Sequence, residues 1–232
     1  MAHGRWPEER VRGADCHFSL FGVYSGHDFI PHPDMTQRHP KEERTFLLIK
    51  TDGVKRGLSG EIIRRIEQRG LKLIALGMLR ATKEKVDGHY PKDPAWIRRL
   101  GEKTLSTYAK YGYDAIKELG TDDPNVIGGM VRGWLIEGLT SGPVVKMVVE
   151  GIHAVDMVRK LAGQTMPSAA EMGTIRGDYS VDSAAAANRD KRAVRNLLHA
   201  SETPEEASHE IEYWFSPDEI YPYKRAEEDI MF

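Results

Sequence analysis

The order of apolar patterns along the chain predicts an α+β fold, with one antiparallel sheet and helices packed on one face. Three observations carry this expectation. Short apolar runs at Phe46–Ile49, Leu71–Leu76 and Val144–Val149 have strand length and end at turn residues. Between them, apolar residues recur every three or four positions, as on one face of a helix. A further run, Val194–Leu198, leads into a marked helix start at Thr203. The order is strand, helix, strand, helices, strand, helix, strand, helix, with no solenoid-type repeat.

Residues 1–43 differ in character from the rest. His3, His17, His27, His32 and His39 are scattered among Pro, Gly and charged residues, with no pair at a metal-ligand spacing. A flexible or docking arm is expected there. After the first strand, Asp52-Gly53 reads as a turn. Ser59 reads as the cap of a helix with Ile62, Ile63 and Ile66 on one face, ended by Gly70. Residues 82–90 form a short helix ending near His89 and Tyr90. Trp96, Ile97, Leu100 and Leu105 mark one amphipathic helix, and Asp123-Pro124 opens another carrying Ile127, Met130, Trp134 and Leu135. Ala154, Val155, Val158 and Leu161 mark the helix after the third strand, closed by Gly163. Gly173–Val181 reads as a loop feeding an extended segment, and residues 183–192 as an inserted loop.

The last pattern is the clearest. Thr203 and Glu206 have capping-box spacing, Pro204 falls at the first helical position, and Ala207, Ile211, Trp214 and Phe215 follow at helical intervals. His199 therefore stands at a strand-to-helix junction, where a side chain can face a cleft while its neighbours are anchored in the core.

Composition narrows the function classes. The 232 residues are 40% apolar, enough for one large domain. A formal charge of -2, from 33 basic and 35 acidic residues, argues against a general nucleic-acid binder but leaves room for a local basic pocket. Cys16 is the single cysteine, so an internal disulfide and a cysteine zinc site are excluded. No apolar run is long enough to span a bilayer and no signal peptide is recognisable, so a cytoplasmic protein without a membrane partner is expected.

The common nucleotide and zinc-protease motifs, G-x-x-x-x-G-K-[ST], G-x-G-x-x-G and H-E-x-x-H, are missing. What remains is His199 and the scattered cations Lys50, Arg159 and Arg176. Each cation alone is ordinarily a solvated surface charge. Converging on one histidine, they would make a phosphate site, because guanidinium groups grip phosphate oxygens bidentately.

Four segments, taken in order, resemble the nucleoside diphosphate kinase family, over a span from about Arg44 to Tyr223. Ile49-Lys50-Thr51-Asp52-Gly53-Val54-Lys55-Arg56-Gly57 is similar to its lysine motif, and Ser141-Gly142-Pro143-Val144-Val145 to its central strand. Gly173-Thr174-Ile175-Arg176-Gly177-Asp178 is similar to its arginine loop, and Asn196-Leu197-Leu198-His199-Ala200-Ser201 to the segment carrying its phosphorylated histidine. The resemblance implies a ferredoxin-like αβ sandwich with a four-stranded antiparallel sheet. Its domain would span residues 44–223, with insertions at about 103–138, as in longer archaeal-type members, and at 183–192, and a tail at 224–232. It also implies ping-pong transfer of the γ-phosphate of a nucleoside triphosphate such as ATP to a nucleoside diphosphate, with Mg²⁺ carried on the nucleotide phosphates, by a hexamer or tetramer. No specific nucleic-acid partner is implied.

Carried over by position, His199 is the nucleophile, Glu210 holds its other ring nitrogen, and Ser201 orients Glu210. Lys50, Arg176 and Asn196 meet the phosphates or sugar near the reacting end. Arg159 and Thr165 hold the distal phosphates, Tyr90 sits beside His199 and Lys50, and Trp96 is the ring on which the base stacks. Two departures stand out: Thr51 replaces the usual proline, and Ala200 replaces a glycine and is expected to strain a backbone needing positive φ. A catalytically idle relative serving as a binding module is the alternative; it would have lost one of Lys50, Arg176, Asn196, His199 or Glu210, and all five are present. Deleting residues 1–40 is expected to leave transfer activity largely intact. A large loss of turnover at unchanged assembly size, measured by coupled assay and light scattering, would show that the arm serves the site.

Overall fold

Phe46, Leu47, Leu48 and Ile49 are each 0% exposed, and this decides the architecture. Successive strand residues point to opposite faces, so a run buried throughout needs cover on both. In the computed structural model, which describes residues 41–226 and 228–231, the run lies in β1 (Glu42–Ile49). There follow α1 (Thr51–Lys55), α2 (Ser59–Gln68), β2 (Lys72–Leu79), α3 (Lys83–His89), α4 (Pro94–Tyr111), α5 (Ala115–Leu119) and α6 (Pro124–Thr140). The second half adds β3 (Val144–Ile152), α7 (Ala154–Ala162), α8 (Ile175–Tyr179), α9 (Ala184–Arg189), β4 (Leu198–Ala200), α10 (Pro204–Trp214) and α11 (Glu228–Met231). The strands lie in the order β2-β3-β1-β4 with every pairing antiparallel, which is the ferredoxin-like sheet.

Helices cover both faces, where the patterns alone predicted one. Leu47, Ile49, Met147 and Val149 pack against Ile62 and Ile66 of α2 and Val158 of α7. Phe46, Leu48 and Val148 pack on the other side against Val86 of α3, Leu139 of α6 and Trp214 of α10. The reason is the apolar content of β1 and β3 on alternate as well as successive positions. Each large side chain so buried contributes about 1.5–3 kcal/mol, which an open face would forfeit.

Several local expectations are corrected. Asp52-Gly53 is helical within α1; Thr51, in the place of a proline, takes the first helical position and its hydroxyl donates to the Leu139 carbonyl at 3.3 Å. Ser59 begins α2 rather than capping it, the cap position being Leu58 with no side-chain bond. Gly173–Val181 contains α8, capped by Thr174, and the alanine-rich residues 183–192 contain α9, capped by Ser183. Both were misread because a local hydroxyl cap outweighs loop-like composition. Glu42 and Glu43 of the predicted arm already belong to β1, and residues 1–40 lie outside the described residues. The tail is tied to the sheet edge, where Lys72 Nζ meets Glu228 Oε1 at 3.0 Å and Arg225 Nη1 donates to the Leu71 carbonyl at 3.0 Å. Among the described residues, no helix is long and apolar enough to cross a membrane.

The α4 and α6 helices cross closely through two glycines. A Cβ on Gly101 would stand 1.8 Å from the Pro124 carbonyl oxygen, and one on Gly128 would stand 1.9 Å from that of Ile97. Neither clash can be relieved by rotating a side chain. Gly128→Ala is therefore expected to lower unfolding stability by about 2 kcal/mol or more. Its neighbour Gly129, with nothing within 4 Å of an added Cβ, should accept Ala with a gain of up to about 1 kcal/mol. Urea unfolding of the two variants checks the pair; equal effects would mean the helices do not cross at Gly128.

Candidate active site

The site is set by an unusual backbone position just before β4. Leu197 is fully buried with φ 72°, a left-handed conformation that a leucine seldom adopts. It is held from both sides by the segment that follows β1. The Leu197 N–H donates to Asp52 Oδ2 at 2.9 Å, and the Leu197 carbonyl accepts the Lys50 N–H at 2.8 Å. Gly53 makes room, since a Cβ there would stand 2.8 Å from the Leu197 oxygen. The strain expected at Ala200 lies instead at Leu197. Ala200 sits in β4 opposite Leu47, in ordinary strand backbone.

The bend keeps residues 194–197 out of the sheet, so the fourth strand is Leu198–Ala200 rather than the expected 194–198. It pairs His199 with Leu48, and α10 returns Glu210 to the ring. Thr203 Oγ1 accepts the Glu206 N–H, as the capping pattern requires, while the Glu206 carboxylate reaches back to the Glu202 N–H. His199 Nε2 lies 2.7 Å from Glu210 Oε1, and Ser201 Oγ donates to Glu210 Oε2 at 2.6 Å. Burial alone would push the Glu210 carboxyl up. The bonds and charge of His199, with the Ser201 hydroxyl and His89, outweigh it and hold the group below the usual carboxylate range. An ionised carboxylate only accepts, so the proton of the His199 ring belongs on Nε2 and the lone pair on Nδ1.

The cations gather on the same cleft, about 380 Å³ in volume. Lys50 Nζ donates to Asn196 Oδ1 at 2.8 Å and lies 3.3 Å from the Val194 carbonyl. Burial lowers the Lys50 pKa, Arg176 adds to the effect, and Asp52 opposes it. Arg176 is 7% exposed and donates to the carbonyls of Gly163, Asn196 and Leu198 at 2.6, 3.2 and 2.8 Å. Burial, then Arg159, brings it down to about 10, so it stays charged at neutral pH. Asn196 Nδ2 donates to the carbonyl of Thr165 at 2.9 Å, joining that exposed loop to the wall.

Lys50, Tyr90, Trp96, Arg159, Thr165 and Arg176 thus line one cleft, together with Asn196, His199 and Glu210. Ser201, 0% exposed, stands behind Glu210. Trp96 and Tyr90 stack with centroids 6.4 Å apart, and burial pushes the Tyr90 phenol up. Two residues escaped the sequence. Glu202 meets Arg159 Nη2 at 3.3 Å at the rim. His89, with a side chain 3% exposed, stands edge-on to His199 at 4.9 Å between centroids, with Nδ1 3.4 Å from Glu210 Oε1. Its signal was slight, a histidine ending a short helix beside Tyr90; its partners lie more than a hundred residues away.

The family model described as nucleoside diphosphate kinase matches residues 43–95 and 133–220. The chain belongs to the nucleoside diphosphate kinase family. A relative of that name from Pyrobaculum aerophilum is 47% identical over 178 residues, covering 77% of this chain and 97% of the relative. Another from Archaeoglobus fulgidus is 37% identical over 190 residues, covering 82% and 97%. The crystal structure of an NDP kinase from Pyrobaculum aerophilum superposes with a TM-score of 0.76 at 45% identity, covering 78% of this chain and all of that one. A Borrelia burgdorferi nucleoside-diphosphate kinase, solved as a transition-state mimic with vanadate and ADP, gives 0.64 at 33% identity, covering 81% and 95%. The break in the family match, residues 96–132, spans most of α4, all of α5 and the first half of α6.

His89 sets a pH dependence. Burial first, then the nearby His199, His209 and Lys50, push its pKa down to about 4 against the pull of Glu210. The unfolded chain takes up this proton near pH 6.5. Stability is therefore expected to fall as the pH drops from about 6.5 toward 4, by on the order of 3 kcal/mol. Urea unfolding across that range should show a slope that His89→Gln flattens; an unchanged slope in the variant would assign it to other groups.

Proposed function

We propose that this chain is a nucleoside-diphosphate kinase whose phosphoryl carrier is His199. The single observation that supports it best is the imidazole held at Nε2 by an ionised Glu210 in a cleft it shares with Lys50 and Arg176. In the first half-reaction, Nδ1 attacks the γ-phosphorus of a nucleoside triphosphate. The P–N bond forms, the bond to the bridging oxygen breaks, and the nucleoside diphosphate leaves with the electron pair. A second nucleoside diphosphate then attacks the phosphohistidine with its terminal phosphate oxygen and restores the ring. Glu210 stabilises the positive charge that the ring acquires, and Ser201 keeps Glu210 in place.

Lys50, Arg176 and Asn196 serve the transferred phosphoryl group and the sugar, and Arg159 and Thr165 the distal phosphates. Tyr90 walls the ring side, and Trp96 offers its face to the base, which reads shape more than base identity. Positioning and charge carry most of the acceleration in phosphoryl transfer. Among the described residues, the donor set at the ring is two imidazoles and one carboxylate, His89, His199 and Glu210. Magnesium prefers oxygen ligands, so Mg²⁺ is read as arriving with the nucleotide phosphates. Residues 44–223 are the transfer unit, working in the cytoplasm as a hexamer or tetramer. Leu76 and Met78, 55% and 64% exposed on the edge strand β2, support assembly through that strand.

The idle-relative alternative has no support in the cleft, where Lys50, Arg176, Asn196, His199 and Glu210 are assembled. Incubation with ATP and Mg²⁺ is expected to leave an acid-labile, alkali-stable phosphate on the protein. His199→Ala should abolish the label, and label persisting there would reassign the nucleophile. Glu210→Gln should lower turnover on the order of a hundredfold while the nucleotide still binds.

A further inference from the structure

Lys50 lines a second cavity as well as the cleft. This one is about 550 Å³, the larger of the two, and none of the chemistry above uses it. It is walled by α1, the C-terminal end of α6, and residues 190–195 after α9. Its size is that of a small-molecule site.

The wall is cationic. Six Lys and Arg side chains line the cavity against three carboxylates. Two of those carboxylates are already engaged, Asp52 by the Leu197 N–H and Asp190 by Arg192 at 3.0 Å. Arg192 is further bound by Asp182 at 2.6 Å and is in effect neutralised. Lys55 donates to the Ser141 carbonyl, and neither Lys191 nor Arg195 forms an ion pair among the described residues. A cavity with several unneutralised cations favours an anion.

Two further features point the same way. Lys191 ends α9 at φ 52°, where its N–H donates to the Asn188 carbonyl and that of Arg192 to the Ala187 carbonyl. This is the helix ending that glycine normally occupies, and a lysine there costs about 1 kcal/mol. A glycine would close the helix without that cost but would bring no ammonium to the cavity. Trp134, half-buried on α6, lines the cavity as well and gives it an aromatic surface beside the cations.

We propose that this cavity is a second nucleotide site, distinct from the cleft, with phosphates on Lys55, Lys191 and Arg195 and the base against Trp134. Such a ligand would also bear on the cleft. The Val194 carbonyl that meets Lys50 Nζ belongs to the cavity wall, two residues before Asn196.

The test is equilibrium dialysis of the full chain with labelled ADP and Mg²⁺, run up to millimolar ADP, with turnover measured on the same samples. Two nucleotides per chain are expected. The surface variant Lys191→Glu/Arg195→Glu should weaken the second site at least tenfold while the first site remains and turnover stays within about twofold. Trp134→Leu should weaken the second site about tenfold, the value of one stacked base. One nucleotide per chain in the unaltered protein, or a second site unmoved by the double variant, would overturn the proposal. Failure of the kinase reading would appear separately, as absent turnover and absent phosphohistidine.

Discussion

The pair of hydrogen bonds that clamps Leu197 is the constraint on which the site depends. Asp52 accepts its N–H and the Lys50 N–H donates to its carbonyl, and between these two bonds the chain turns left-handed at a buried leucine. That conformation costs about 1–2 kcal/mol, and it persists because the surrounding groups leave no other way to satisfy the backbone. The bend separates Asn196 from His199 by three residues and still leaves both on one cleft. It also couples the lysine segment to the histidine segment, which lie some 145 residues apart in the chain.

The electrostatics follow from burial around that clamp. Lys50, Arg176 and Glu210 are each less than 10% exposed, and charged groups in such places ordinarily need partners. Glu210 has them in His199 and Ser201. Lys50 and Arg176 are held by carbonyls and by Asn196 rather than by carboxylates, so their charge is solvated but not cancelled. A cleft built in this way is arranged beforehand for an anion, and little has to reorganise when phosphate charge shifts during transfer. His89 adds a neutral, buried ring against His199 and Glu210, which keeps water from that side.

The helical hairpin of α4 and α6 plays a second structural part. It covers one face of the sheet through Ile136 and Leu139 and places Trp96 and Leu135 on the cleft. Arg132 ties it to α3 and the loop that follows, meeting the Asp87 carboxylate at 2.7 Å and donating to the carbonyls of Asp87 and Pro91. The same hairpin therefore helps bury the core, shapes the cleft around His199 and supplies Trp134 to the second cavity.

The sequence by itself determined three of the four strands, most of the helices and the chemical cast of the site; the fourth strand begins only where its apolar run ends, at Leu198–Ala200. Those are local matters: apolar period, helix starts at Asp123 and Thr203, and motifs whose residues lie within a few positions of one another. Tertiary structure alone decided the cover on both sheet faces, the strain at Leu197 rather than Ala200, and the place of His89. Each of these is a contact between segments distant in the chain, where no local pattern records the partner. Propensity misjudged residues 51–55, 173–181 and 183–192 for a related reason. In each case a few favourable backbone bonds, fixed by packing or by one hydroxyl cap, overrode a composition that reads as loop.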